Sequence, residues 1–493
     1  MGRGIAQLFA VAGHPVWLAD ANPTVAVEAL DAVARMIDRL AGKGRLAENP
    51  VRVKDRLATV AAEPARLASV GPDLVIEAVV EDLAVKRGLF AALEEQLPAH
   101  IVLATNTSSL SITSIAAGLQ HPGRVVGLHF FNPVPLMRLV EVVPGERTEL
   151  AVVERMEELV RGCGHTPVRV RDTPGFLVNH AGRAYSTEAL RIVDEGGAAP
   201  VDVDRVCREA AGFRMGPFEL LDLTGLDVSQ PVMETVYHGF YEDPRLRPSP
   251  TGRRRLAAGL LGRKSGAGFY TYDADGRPEI PDEEPAPRYD GTPVWVDKRN
   301  PTAGTALRDL LAKRGVAVDD GSAPSPAAVT LVTPYGRDVT TAAVQAGLPA
   351  DRCLGVDPLG DFVGRLTLAT NPATSPGARQ TAHAALAATG QPVTVVGDGA
   401  GFLAQRIVAC VVNLGCEIAQ LGLAAPTEVD TAVTLALGYP QGPLAWGDEI
   451  GPATVLEVLM GLQAAYGDPR YRPSPWLSRR ARLGLSLRHV EAR

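Results

Sequence analysis

The sequence predicts an α/β fold with a mostly parallel sheet, carried on a chain that has been internally duplicated. Three observations predict it. Apolar strand-like runs alternate with helical periodicity over the first third of the 493 residues, the pattern of a parallel sheet crossed by helices. The first twenty residues read as helix, tight turn, strand and terminal acid. Finally, YEDPRLRPSP at 241–250 returns as YGDPRYRPSP at 466–475, identical at eight of ten positions, and such self-similarity marks a duplication.

The N-terminal stretch Gly2–Ala10 has helical spacing with small residues on one face, and Pro15–Asp20 reads as a strand closing on an acid. This is the second half of a dinucleotide-binding βαβ unit. The strand and the first two glycines of G-x-G-x-x-G are absent. Gly2 takes the place of the third glycine, which allows close helix–strand packing. Asp20 is placed to accept hydrogen bonds from adenosine ribose hydroxyls, which favours NAD over NADP. A long helix is expected over about 23–48. Asp73–Val80 reads as a buried strand, the helix that follows opens at Glu81, and Ile101–Thr105 is a further strand running into Asn106-Thr107-Ser108-Ser109. Glu81, Asn106 and Ser108 all follow strand ends, where ligands of parallel sheets bind.

Two apolar runs flank the Pro-rich turn of Gly127-Leu128-His129-Phe130-Phe131-Asn132-Pro133-Val134-Pro135, the second being Leu139–Val143. Paired as a hairpin, they bring His129 and Glu141 together as cross-strand neighbours. A histidine held by a carboxylate is the usual build of a general base near neutral pH. A structural histidine beside an ordinary glutamate is the competing reading of these residues alone.

Composition excludes several classes. With 46% hydrophobic and 21% charged residues the chain is ordinary for a globular protein. Its net charge of −7 argues against general nucleic-acid binding. The five cysteines are scattered without a C-x-x-C, so they offer no metal site and fit a reducing, cytoplasmic setting. No apolar stretch approaches the length of a membrane span.

NTSSLSIT at 106–113, GLHFFNPVP at 127–135, LVEVV at 139–143 and DTPGFLVN at 172–179 occur in that order, followed by MGPFELLDLTGLD at 215–227 and GRKSGAGFY at 262–270. Together they resemble the NAD-dependent L-3-hydroxyacyl-CoA dehydrogenases of β-oxidation, over residues 1 to about 275. The resemblance implies an α/β plus all-α architecture. A Rossmann-type NAD domain lacking its first strand spans 1–173, and a helical C-terminal domain spans 174–280. A linker and degenerate Rossmann-like segment then span 281–397, and a second helical copy spans 398–493. It implies His129 as general base and Glu141 as its orienting carboxylate. Ser108 and Asn179 become polar contacts to substrate oxygens or the histidine, with the Asn179 amide placed to face a thioester carbonyl. Gly2, Asp20, Glu81, Lys86 and Asn106 fall on cofactor positions for NAD. The implied substrate is an acyl-CoA, with no metal, nucleic acid or membrane partner, and a homo-oligomer is allowed. GRKSGAGFY lacks Walker spacing and reads as a structural turn and terminal strand.

Met1 stands where that family commonly has a methionine inside its glycine fingerprint, so a strand and G-x-G are expected to be encoded just upstream in frame. A non-catalytic scaffold is the alternative attached to the missing strand. The lambda-crystallin-like dehydrogenases, which oxidise sugar acids, share similar motifs.

The second half is a worn copy. Pro293–Asp297, Thr302–Lys313 and Gly315–Asp319 read as strand, helix, strand. GFLVN at 175–179 aligns with GFLAQ at 401–405, Gly127-Leu128-His129 with Gly355-Val356-Asp357, and Asn179 with Gln405, while Arg365–Ala369 holds no counterpart of Glu141. One active site is expected, in the first half, with the second half covering the first helical domain as a partner subunit would. This two-copy layout resembles the long bacterial 3-hydroxybutyryl- and 3-hydroxyadipyl-CoA dehydrogenases of phenylacetate degradation.

Overall fold

A computed structural model describes residues 1–491. Contacts group the chain into two compact units. The first is Met1–His180 with Gly422–Leu437, and the second is Ala181–Leu421 with the chain from Gly438 onward.

In the first unit the helix Gly2–Val11 leads into β1 (Val16–Leu18), which pairs in parallel with β2 (Leu57–Thr59). A separate five-stranded sheet holds β3 (Leu74–Glu77), β4 (Val102–Thr105), β5 (Val125–Phe130), β6 (Leu139–Pro144) and β7 (Thr166–Arg169) in that order. Its pairs are parallel except β5–β6. β1 and β3 belong to different sheets. Val16 of β1 and Leu74 and Ile76 of β3 nonetheless pack on one core with Leu128, Val140 and Val142. Each fully buried aliphatic side chain of that kind stabilises the fold by about 1.5–3 kcal/mol.

Local chemistry sets the helix ends. Asn22 caps the helix Pro23–Gly42 by accepting from the Thr24 amide, and Asp82 caps Leu83–Gln96 through the Val85 amide. The expected helix over 23–48 stops at Gly42, because Gly44 turns the backbone at φ 63°. The strand expected through Val80 ends at Glu77, and Val79 and Val80 are 47% and 65% exposed. The Glu77 carboxylate accepts from the Val79 amide and turns the chain out of the sheet. A Cβ on Gly2 would meet nothing within 4 Å, whereas one on Gly4 would lie 3.0 Å from Val134.

The second unit repeats the sheet in shortened form: β8 (Val294–Val296), β9 (Val329–Val332), β10 (Cys353–Val356), β11 (Leu366–Ala369) and β12 (Val393–Val396), again parallel except at one pair, β10–β11. The strand expected at 315–319 is reduced to a single bridge between Val318 and Val294. GRKSGAGFY forms a short 3-10 turn and isolated bridges rather than a terminal strand. Its backbone wraps Asp222, which accepts from the Phe269 and Tyr270 amides.

Also in the second unit, the helix Arg183–Asp194 of the first copy packs on the helix Ala404–Gln420 of the second. Glu188 is buried between them and bonded to Arg406, Arg470 and Tyr471. The repeated peptides meet here as well. Arg470 donates to the Arg247 carbonyl at 2.8 Å, and Arg245 to the Arg472 carbonyl at 3.3 Å. Each copy also hands a segment to the other's sheet. In the first unit the Arg171 amide donates to the Leu423 carbonyl, and in the second the Gly397 amide donates to the Gly197 carbonyl. The register that aligns GFLVN with GFLAQ carries one bond onto the other.

Candidate active site

The β5–β6 hairpin sets His129 directly opposite Glu141. Both are interior, with His129 6% exposed and Glu141 fully buried. His129 Nδ1 lies 2.6 Å from Glu141 Oε2. An ionised carboxylate only accepts, so Nδ1 carries the proton and Nε2 keeps the lone pair. The second Glu141 oxygen accepts from the Leu177 and Val178 amides at 3.0 and 2.8 Å. Those amides are aimed by the turn Gly175-Phe176, both at positive φ, 73° and 48°. For Phe176 the left-handed conformation is strained, and the strain is held where the amides meet the carboxylate. Phe131 and Phe176 flank the imidazole at ring distances of 4.5 and 5.8 Å. The carboxylate is thus fixed on both oxygens, and the imidazole has apolar walls.

Asn179 follows in the helix Val178–Ala181, one residue beyond the amide that binds Glu141. Its neighbours place it on the same short turn as the Glu141 anchor.

A second cluster lies at the C-terminal ends of β3 and β4. Glu81 Oε1 accepts from the Thr107 hydroxyl at 2.7 Å and from the Ser108 and Ser109 amides at 2.8 and 3.1 Å. Ser108 Oγ is 3.2 Å from the same oxygen. Half-burial alone would raise the Glu81 carboxyl. The Thr107, Ser108 and Ser109 bonds and the Lys86 charge outweigh it and hold the group below the usual carboxylate range. Asn106 Oδ1 accepts from the Phe130 amide at 2.9 Å, tying the end of β4 to the strand that carries His129. Lys86 is not a surface cation but 1% exposed, 2.6 Å from Glu77 and 3.3 Å from Glu81. Asp20 follows β1 on the surface and accepts from the Asn22 amide at 2.9 Å.

Sequence reasoning missed Glu77, which binds Lys86, the Val79 amide and the Thr105 hydroxyl. The signal was present: an acid inside an apolar run must be paired if the run is buried. It also missed Asp172, which caps the helix Ile112–Ala116 through the Ile112 and Thr113 amides and holds the Ser111 hydroxyl.

A nicotinamide dinucleotide has two ribose diols and, when oxidised, a cationic ring. It calls for acceptors and negative charge at the strand ends. Asp20 and Glu81, whose carboxyl is held below the usual range, have that chemistry, and the helix Gly2–Val11 presents an N-terminus, the end of a helix that favours phosphate. The residues fit the cofactor.

The family model described as "3-hydroxyacyl-CoA dehydrogenase, NAD binding domain" matches residues 1–173. The one described as "3-hydroxyacyl-CoA dehydrogenase, C-terminal domain" matches twice, at 175–272 and 401–490. The chain is 38% identical to a 3-hydroxyadipyl-CoA dehydrogenase of Escherichia coli over 484 residues, covering 98% of this chain and 96% of that one. It is 39% identical to the pig mitochondrial hydroxyacyl-coenzyme A dehydrogenase over 277 residues, 55% of this chain and 88% of the relative. Among solved structures, a 3-hydroxybutyryl-CoA dehydrogenase from Escherichia coli superposes with a TM-score of 0.86 at 37% identity, over 98% of this chain and 96% of that one. The chain belongs to the 3-hydroxyacyl-CoA dehydrogenase family, whose members are NAD-dependent oxidoreductases.

Proposed function

We propose that this chain reversibly oxidises (3S)-3-hydroxyacyl-CoA to 3-oxoacyl-CoA with His129 as general base. The observation that carries the reading is the 2.6 Å bond between His129 Nδ1 and the doubly anchored Glu141. NAD, when bound, supplies the acceptor for the hydride leaving C3. The hydroxyl proton at C3 goes to His129 Nε2. Glu141 keeps the imidazole in the tautomer that can accept it and stabilises the imidazolium that forms. In the reverse direction the imidazolium returns the proton to the 3-oxo oxygen. Ser108 and Asn179 serve as polar contacts to substrate oxygens or the histidine. Gly2, Asp20, Glu81, Lys86 and Asn106 serve the dinucleotide, Lys86 by holding Glu81 rather than by touching the ligand.

The chain works as four segments, 1–173, 174–280, 281–397 and 398–493, of which only the first carries the base. The full-length similarity to the Escherichia coli 3-hydroxyadipyl-CoA dehydrogenase supports a short acyl or carboxyacyl substrate. The role proposed for the chain is cytoplasmic, in fatty acid or phenylacetate breakdown. No helix among the described residues is long and apolar enough to cross a membrane.

The test is NADH-dependent reduction of acetoacetyl-CoA by wild type and His129→Gln, with L-gulonate oxidation measured alongside. Loss of turnover in the variant with NADH binding retained supports the reading. Near-normal turnover by His129→Gln removes the base assignment, and preferential turnover of L-gulonate moves the chain to sugar acids.

A further inference from the structure

Lys86 is almost fully buried, and a buried ammonium needs compensation. Two carboxylates approach it, Glu77 from the interior at 2.6 Å and Glu81 from the rim at 3.3 Å. Glu77 is fully enclosed, and its oxygens are also held by the Val79 amide and the Thr105 hydroxyl at 2.6 and 2.7 Å. The Glu81 side chain is 36% exposed at the strand ends. The neighbouring charges are engaged elsewhere: Asp82 caps its own helix through Val85, and Arg87 donates to the Ser114 carbonyl. The cluster therefore contains two negative charges and one positive, with the outer carboxylate facing the ligand side. If Glu77 were neutral, Lys86 would cancel Glu81 and the rim would carry no net charge.

We infer that Glu77 is a positioning residue that compensates Lys86 and thereby leaves one negative charge at Glu81, which favours the oxidised, cationic nicotinamide over the neutral reduced ring. This rests on the dehydrogenase reading above, with Glu81 on the cofactor side. Glu77 touches neither cofactor nor substrate and acts through Lys86 and Glu81. The triad sets how tightly the two redox forms bind relative to each other. Removing that one charge at a partly exposed site is expected to change that ratio by about five- to tenfold.

The experiment measures dissociation constants of NAD and NADH separately, by calorimetry and by NADH fluorescence, on the full chain. Glu77→Gln is expected to weaken NAD about fivefold more than NADH. The double variant Glu77→Gln with Lys86→Met again has a net negative charge, from Glu81 alone, and is expected to restore the wild-type ratio. Glu81→Gln neutralises the rim while leaving the buried pair intact. It is expected to reproduce the loss, and it reads the same charge if Glu77→Gln does not fold. Equal weakening of both dinucleotides in all variants, or a double variant that fails to restore the ratio, overturns the inference while leaving the dehydrogenase reading standing. Wild-type protein that binds neither dinucleotide overturns that reading, and this inference with it.

Discussion

The first unit carries an imidazole near the end of β5, braced by a carboxylate from β6. At the matching place after β10, the second carries a carboxylate alone. Asp357 aligns with His129, and Thr367 stands across the strand pair where Glu141 would be. The turn that follows is kept in both. Gly401 and Phe402 have φ of 72° and 50°, close to Gly175 and Phe176. In the first unit the amides of that turn bind Glu141. In the second, Asp357 accepts from the Gln405 side-chain amide and from the Leu359 backbone amide, both at 2.9 Å. The helix-capping aspartate persists too: Asp398 holds the Val339 and Thr340 amides as Asp172 holds those of Ile112 and Thr113. The positive-φ turn and the helix-capping aspartate have been kept. What has gone is the imidazole and the glutamate that faces it.

The largest effect expected from this difference is catalytic. His129→Gln should lower kcat for acetoacetyl-CoA reduction by about 10²–10⁴-fold, the contribution of a positioned general base, and Asp357→Asn should leave it unchanged. A matching loss from Asp357→Asn would mean that the second half works after all.

Next comes the core shared by the two helical copies. Burial alone would raise the Glu188 carboxyl, but Arg406, Arg470 and the Tyr471 hydroxyl hold it at about 2. Its folded value lies below the unfolded one, so the stabilisation is complete above the ordinary carboxylate range near 4.5 and is lost as pH falls toward 2. Glu188→Gln should cost about 3 kcal/mol at neutral pH, read as a fall in Tm. It should also flatten the acid side of the stability profile.

A third test concerns the glycines behind the two first helices. A Cβ on Gly304 would lie 2.4 Å from the Asp297 carbonyl oxygen, whereas one on Gly4 meets only the Val134 side chain at 3.0 Å. Gly304→Ala should cost about 2 kcal/mol because backbone must move, and Gly4→Ala should cost less. Equal losses in thermal unfolding would show that the two helices are seated alike.

The smallest effect belongs to Asp357 itself. Burial pushes its carboxyl up to about 6, against its hydrogen bonds, and one of its oxygens has no partner. A raised folded value means that its contribution is present below 3.8 and lost as pH rises through about 6. Asp357→Asn should therefore stabilise the protein by about 1 kcal/mol at pH 8 and little at pH 4. A variant equally stable relative to wild type at both pH values would refute the buried charge.

The facing of His129 and Glu141 was legible because strand pairing about one turn fixes who opposes whom. The repeats were legible as text, and they aligned Asp357 with His129 and left Arg365–Ala369 without a counterpart of Glu141, whereas Thr367 as the facing residue came from the strand register. Glu77 was legible only as an acid that needs a partner, because the apolar run carries no sign of the lysine nine residues on that meets it. The burial of Lys86 was not legible, since a lysine in a helix's first turn is usually solvated. The end of β3 was misplaced because Val79 and Val80 have strand propensity, and propensity yields to the turn that Glu77 makes.

The segment Gly422–Leu437 lies in the second copy by sequence and in the first unit by contact. Its Leu423 carbonyl and Glu428 carboxylate take amides at the end of β7, an edge strand of the sheet that carries His129 and Glu141, and an uncovered edge invites wrong pairing. Redundancy has turned into dependence. A duplicate free to diverge is no longer free to leave, because cutting it away would strip a strap from the half that still carries that pair.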